Sequence, residues 1–310
     1  MFDFKKLDSA DWRQVIDSLY LSVKPEMQGP QGFIRRMKAL GEPSRKHAIS
    51  GHMNSFNGRN SLVGLDLDID ALADQMMDIN HKASSSLYYD YLSILEAETD
   101  LSNFPTLKLI QDFVGGAQNP KISINRLNAL LARVINESLS QANKSNAGEA
   151  GENIVRAILS AAGLQKDVHF REQYQSSKGS DTDFVFPCVP DGQDGKVEAF
   201  LAVQMSSNDR TRLTSSELRQ GAVPFVFTGN GLAASKKKLK DIGNKIILDQ
   251  RSKSVRIVCL QSELDFEMKR LTATVDKGNA PSDIVDRLDY FDNFGFSMEA
   301  FADYVRKRFL

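Results

Sequence analysis

Beyond Gly148 the chain alternates short apolar runs rich in Val, Ile and Phe with segments of helical period. That alternation confines this half to a layered α/β arrangement, because only strands buried between helices use such runs economically. The strand-like runs fall at residues 168–174, 183–186, 199–205, 224–228 and 255–260. A helix expected over 149–162 ends at Gly163, a C-terminal glycine stop. A second helix expected over 235–247 carries a basic face opposite Leu239, Ile242 and Ile246. The tail from 262 to 310 reads as helical, with Phe291, Phe294, Phe296 and Phe301 as packing residues.

Residues 1 to 145 read as mainly helical. A capping residue near Ser9 precedes Val15, Ile16, Leu19 and Tyr20 at helical spacing, and Trp12 is expected to pack in a core. Acids alternate with apolar residues from Leu65 to Asp70, but the glycine and terminal glutamate of an EF-hand loop are missing, so a helix N-terminus is expected there. Helical patterns continue over 88–97, 107–114 and 122–139. The polar stretch 141–148 breaks the pattern and is the expected boundary between a helical region, 1–145, and an α/β core, 146–310. Residues 35–47 are basic and lead into a Gly/Asn/Ser-rich loop over 50–60, which either touches a phosphate backbone or is an ordinary solvated loop. His47 and His52 have no companions at metal-ligand spacing.

With 310 residues, 41% of them apolar, the chain can bury one large core or two modest ones. Its 39 basic and 40 acidic side chains exclude a strongly cationic nucleic-acid binder as a whole. Locally, residues 204–245 hold eight basic side chains against three acidic ones, an excess that suits a polyanion. Cys188 and Cys259 lie far apart without zinc or disulfide spacing and are expected as buried thiols. No apolar run approaches membrane-spanning length, so a cytoplasmic protein without a membrane partner is expected. A phosphate-cradling glycine loop and a Ser/His/Asp pattern are both missing, which disfavours a small-molecule enzyme.

The acids beside this core are the chemical signal. Glu149 and Glu152 open the 149–162 helix, Asp181 and Asp183 open an apolar run, and the 199–205 run passes through Ala202, Val203 and Gln204 to polar residues. Hydrolysis of a phosphodiester needs a hard divalent ion, held by carboxylates and carbonyls, to polarise the phosphate and supply hydroxide. The order of helix with Glu, strand with Asp, strand with a polar end, helix and strand resembles the PD-(D/E)XK nuclease superfamily over residues 148–260. The resemblance implies a restriction-endonuclease-like core, a central mixed five-stranded sheet flanked by helices. It puts Glu152 at the helix glutamate and Asp183 at the motif aspartate, with Asp181 as second claimant.

Where the motif has an acid and a lysine two residues apart, this chain has Ala202 and Gln204. The branch of type II restriction endonucleases that cut CCGG, CCNGG and CCWGG moves the second acid to a helix thirteen residues after the lysine position, which here is Glu217. The same branch reads bases just after that lysine, where this chain has Asn208, Asp209 and Arg210, followed by Arg212. Arg makes paired hydrogen bonds with guanine, and Asp accepts from cytosine N4. The plain alternative is a polar turn in which Asp209 caps a helix.

The implied activity is Mg²⁺-dependent, sequence-specific cleavage of double-stranded DNA at a short palindrome. Asp183, Glu217 and the Val203 carbonyl would hold the ion, Glu152 would assist, and Gln204 would position water. An amide in place of lysine orients water but cannot stabilise hydroxide by charge. A palindromic target implies a homodimer, and restriction implies a cognate methyltransferase as genetic partner. Two other readings stay open: a non-catalytic DNA-binding protein on a nuclease scaffold, and a repair or structure-specific nuclease with the same core.

Overall fold

The computed structural model describes residues 3–29, 33–97, 102, 104–116, 121–179, 181–203, 221–228 and 254–310. The chain is mixed α/β with a helical N-terminal half. Helices α1 (Trp12–Gln28), α2 (Phe33–Met53), α3 (Leu65–Ala97), α4 (Pro105–Gly116) and α5 (Lys121–Ala161) precede the first strand. Strands β1 (Arg171–Gln175), β2 (Asp181–Phe186), β3 (Ala199–Val203), β4 (Val223–Phe227) and β5 (Arg256–Cys259) follow, then α6 (Gln261–Val275), α7 (Ser282–Phe294), β6 (Gly295–Ser297) and α8 (Met298–Phe309). Among the described residues no helix is long and apolar enough to cross a membrane. The chain divides into two compact units.

Unit 1 comprises Met1–Ile49 and Ile79–Asn146. The apolar stripe of α1, Ile16, Leu19, Tyr20, Val23 and Met27, is buried in one cluster with Leu107 and Ile110 of α4 and Leu127, Leu130 and Val134 of α5. Pro105 starts α4 where a missing N–H costs nothing, and the next two N–H groups, of Thr106 and Leu107, donate to Glu26 at 2.8 and 3.1 Å. Trp12 packs against this cluster with the Arg126 guanidinium 4.8 Å from its ring centre. Part of the basic stretch has an internal use: Arg45 is buried and donates to Glu42 at 2.9 Å and Asn80 at 3.2 Å.

Unit 2 comprises Ser50–Asp78 and Ala147–Leu310. Its sheet has strand order β1-β2-β3-β4-β5-β6. The first three strands are antiparallel, and β3 to β6 run parallel. One face packs Ala202, Val226, Ile257 and Cys259 against Leu264 and Leu271 of α6 and Tyr290 and Phe291 of α7. On the other, Phe225 meets Phe301 and Tyr304 of α8 at 5.0 and 5.2 Å between ring centres, and Phe186 stacks on Phe309 at 5.3 Å. Parallel strands need this cover on both faces, which explains why their runs read as continuously apolar. Within this unit Asp66 of α3 closes two other helices. Its carboxylate accepts Gln261 N at 3.1 Å at the start of α6, and Met298 N at 3.1 Å and Glu299 N at 3.2 Å at the start of α8.

Several sequence expectations need correction. Among the described residues the sheet has six strands, not five, because Gly295–Ser297 in the tail pairs in parallel with β5. Three residues are too few to show a period of two, and Gly295 is what admits the strand: a Cβ there would lie 2.5 Å from the Phe291 carbonyl oxygen and 2.7 Å from Leu264 Cδ1. The polar stretch 141–148 does not interrupt the helix, since α5 runs unbroken for 41 residues and the 149–162 helix is its final part. That stretch has no apolar side chain larger than alanine but contains no proline, so the break was in hydropathy and not in backbone preference. The 50–60 segment is loop only in part: α2 continues to Met53, a turn of 3-10 helix covers Asn54–Phe56, and Phe56 is buried. Beyond it Arg59 is tied down by the Ser61 and Val63 carbonyls and by Asp68. Cys188 is half-buried where burial was expected, while Cys259 is buried and its thiol pKa is pushed up by that burial. The helix expected over 235–247 and the basic residues of 204–245 lie outside the described residues.

Candidate active site

The last turns of α5 carry Glu152 and Arg156, four residues apart and therefore on one helix face. Arg156 donates to Glu152 Oε2 at 3.1 Å, to both oxygens of Glu172 on β1 at 2.8 and 3.0 Å, and to Asn153 at 2.7 Å. The Glu172 side chain is only 5% exposed and also receives Lys166 at 2.8 Å. Burial works against its charged form, but the hydrogen bonds and charges of Arg156 and Lys166 outweigh it, so its carboxyl titrates below the ordinary glutamate value.

Glu152 shows the opposite balance. Burial raises its pKa first; Arg156 opposes the rise, and the negative charges of Asp183 and Glu172 add to it. Glu152 Oε1 also accepts the side-chain amide of Gln173 at 3.1 Å. Gln173 stands on β1 with φ +49°, left-handed backbone that side chains other than glycine rarely adopt.

Asp183 is half-buried on β2. The β2–β3 ladder ends at the Phe184–Leu201 pair, and just past it Asp183 Oδ2 accepts the backbone N–H of Val203 at 2.7 Å. Val203 remains paired in parallel with Phe227 of β4. The two strands therefore part where an acid replaces a backbone acceptor.

Of the residues singled out from sequence, Glu152, Asp183 and Val203 come together. Asp181 is exposed at the start of β2, opposite Gln175. Glu149 lies one turn before Glu152 on α5. Gln204, Asn208, Asp209, Arg210, Arg212 and Glu217 lie outside the described residues. Among the described residues no group of three or more His, Cys, Asp or Glu side chains is close enough to hold a metal ion. Glu152 and Asp183 nevertheless fit a hard cation by donor type.

Sequence reasoning missed Glu172, Arg156 and Gln173. The Glu152–Arg156 spacing was a readable signal of an intrahelical pair. Nothing in the sequence marks Gln173. A second acidic place in unit 2 is a cavity of about 670 Å³ lined by Asp66, Asp70, Asp265, Glu299 and Asp303. Asp66 there is committed to helix N-termini, Asp265 accepts from Gln261 at 2.6 Å and Asp303 pairs with Lys307 at 2.6 Å.

Comparison with protein-family models, with curated proteins and with solved structures finds no match to this chain.

Proposed function

We propose that the chain is a Mg²⁺-dependent, site-specific DNA endonuclease of the type II restriction class, with a restriction-endonuclease-like core in unit 2. The observation that carries the reading is the meeting of Asp183 with Val203 at the parting of β2 and β3, with Glu152 held by Arg156 and by Gln173 from the neighbouring strand. The order of elements also supports it: a helix with Glu152, an antiparallel β1-β2-β3 with Asp183 on the middle strand, then β4 parallel to β3.

In this reading Asp183, Glu217 and the Val203 carbonyl would hold Mg²⁺, assisted by Glu152. When bound, the ion supplies Lewis acidity to the phosphate and acidifies a water. Gln204 would orient the attacking water, while Arg156 holds Glu152 and Glu172 through its guanidinium. Asn208, Asp209, Arg210 and Arg212 contact the bases, and two copies of the chain address the two halves of a palindrome.

The test is cleavage of mixed-sequence plasmid by the wild-type chain and by Asp183→Ala with and without Mg²⁺, followed by sequencing of the ends. Cutting at one short sequence that needs both Mg²⁺ and Asp183 supports the reading. Equal cutting by both chains ends it, and DNA binding that persists without Mg²⁺ and never leads to cutting moves the chain to the non-catalytic alternative.

A further inference from the structure

Gln173 is held in a backbone conformation that the sheet does not require. The β1–β2 register runs evenly on either side of it, with Glu172 opposite Phe184 and Tyr174 opposite Thr182. No extra residue is inserted, so no bulge needs a left-handed turn at this point. Its place in the register is opposite Asp183, and its φ of +49° is one that glycine adopts freely and glutamine does not. What the conformation accomplishes is to bring the side-chain amide to Glu152 Oε1 at 3.1 Å. The other oxygen, Oε2, accepts from Arg156 at 3.1 Å. The carboxylate is thus gripped at both oxygens, one from its own helix and one from the strand beside Asp183.

We propose that Gln173 is a positioning residue of the carboxylate site, holding Glu152 in place beside Asp183 for a divalent ion, and that its strained backbone is retained for that purpose. The proposal rests on the nuclease reading for the identity of the ion, but its test needs no cleavage. Gln173 is exposed, so replacing it opens no core cavity.

Two variants of the full chain separate the backbone from the amide. Gln173→Gly removes both the strain and the amide, and Gln173→Met keeps the strain and the side-chain length but cannot donate. Mn²⁺ affinity measured by calorimetry without DNA is expected to fall about 10–100-fold in both, the usual loss when an outer hydrogen-bond partner of a metal ligand is removed. The Tm of Gln173→Gly is expected to equal or exceed that of the wild type. Affinity within about twofold of wild type in either variant overturns the proposal. So does a Gln173→Gly chain that loses stability and affinity together, because Gln173 would then be structural. A wild-type chain that binds Mn²⁺ but cuts no DNA ends the nuclease reading and leaves the positioning role standing. One that binds no Mn²⁺ overturns the positioning role.

Discussion

Asp183 takes the backbone N–H of Val203 at 2.7 Å, just past the last pair of the β2–β3 ladder. One side chain therefore has an architectural task and, in the proposed function, a chemical one. The two separate by substitution. Asp183→Asn keeps an oxygen acceptor for Val203 and loses the charge, so its Tm should stay near wild type while Mg²⁺-dependent cleavage falls by roughly 10²-fold or more. Asp183→Ala should lose the activity and also about 1–3 kcal/mol, the cost of an unsatisfied N–H away from water. Urea unfolding beside plasmid cleavage reads both, and full activity in Asp183→Asn would remove Asp183 from the metal site.

Glu152 has a folded pKa raised above its unfolded one, so its ionised form costs stability wherever the pH lies above the folded value. That cost disappears as pH falls through the raised value. Glu152→Gln is accordingly expected to unfold at higher temperature than wild type near pH 7, with the gap closing in acid, while its cleavage drops about 10–100-fold. Thermal melts over a pH series check the stability claim. A variant less stable than wild type at neutral pH would contradict it.

Glu172 has the reverse sign. Its folded pKa is lowered, so its stabilising contribution is complete above the unfolded value and is lost as pH falls through the folded one. Glu172→Gln should be less stable than wild type at pH 7 and should lose part of the acid-induced drop in stability below pH ~4.3. Arg156→Ala should be more damaging, by about 3 kcal/mol, because it leaves Glu172 buried with Lys166 as its remaining cation. Chemical denaturation at two pH values distinguishes these expectations from a uniform loss.

Asp66 serves the open ends of α6 and α8 together, through Gln261, Met298 and Glu299. Asp66→Ala should cost on the order of 1–3 kcal/mol, since it orphans three N–H groups that water reaches only in part. Asp66→Asn should cost less, because an amide oxygen still accepts but brings no charge to the helix dipoles. Hydrogen exchange at Gln261, Met298 and Glu299 would locate the loss; unchanged exchange there would show that the helix ends do not depend on Asp66.

Much of unit 2 was legible because burial writes itself into hydropathy. Ala199–Val203 and Pro224–Phe227 are apolar without interruption because both faces of their strands are covered, by α6 and α7 at Ala202 and Val226 and by α8 at Phe225, while Val185 and Phe200 pack with Tyr174, Val189 and Val197. Asp183 stood out as an acid opening such a run. The left-handed Gln173 left no trace, since its φ and its contact with Glu152 are features that no local pattern of apolar and polar residues encodes. Asp66 was legible as a first-turn acid of α3, but its partners lie about two hundred residues away, and local charge patterning says nothing about which remote helix an acid will serve. The strand at Gly295–Ser297 was hidden by its length, and Phe296 passed as one more aromatic of the helical tail.

Unit 2 is assembled from Ser50–Asp78 and Ala147–Leu310, and Asp66 reaches Met298 across 232 positions of chain. A ribosome therefore delivers one partner of this contact 232 residues before the other. Until then Asp66 waits without the helix ends it closes, and the nascent chain holds that segment in reserve. A fragment trimmed to start at residue 146 would retain all six strands and still lack the carboxylate that seats two of its helices, so the sheet and its acids are not severable as a minimal piece.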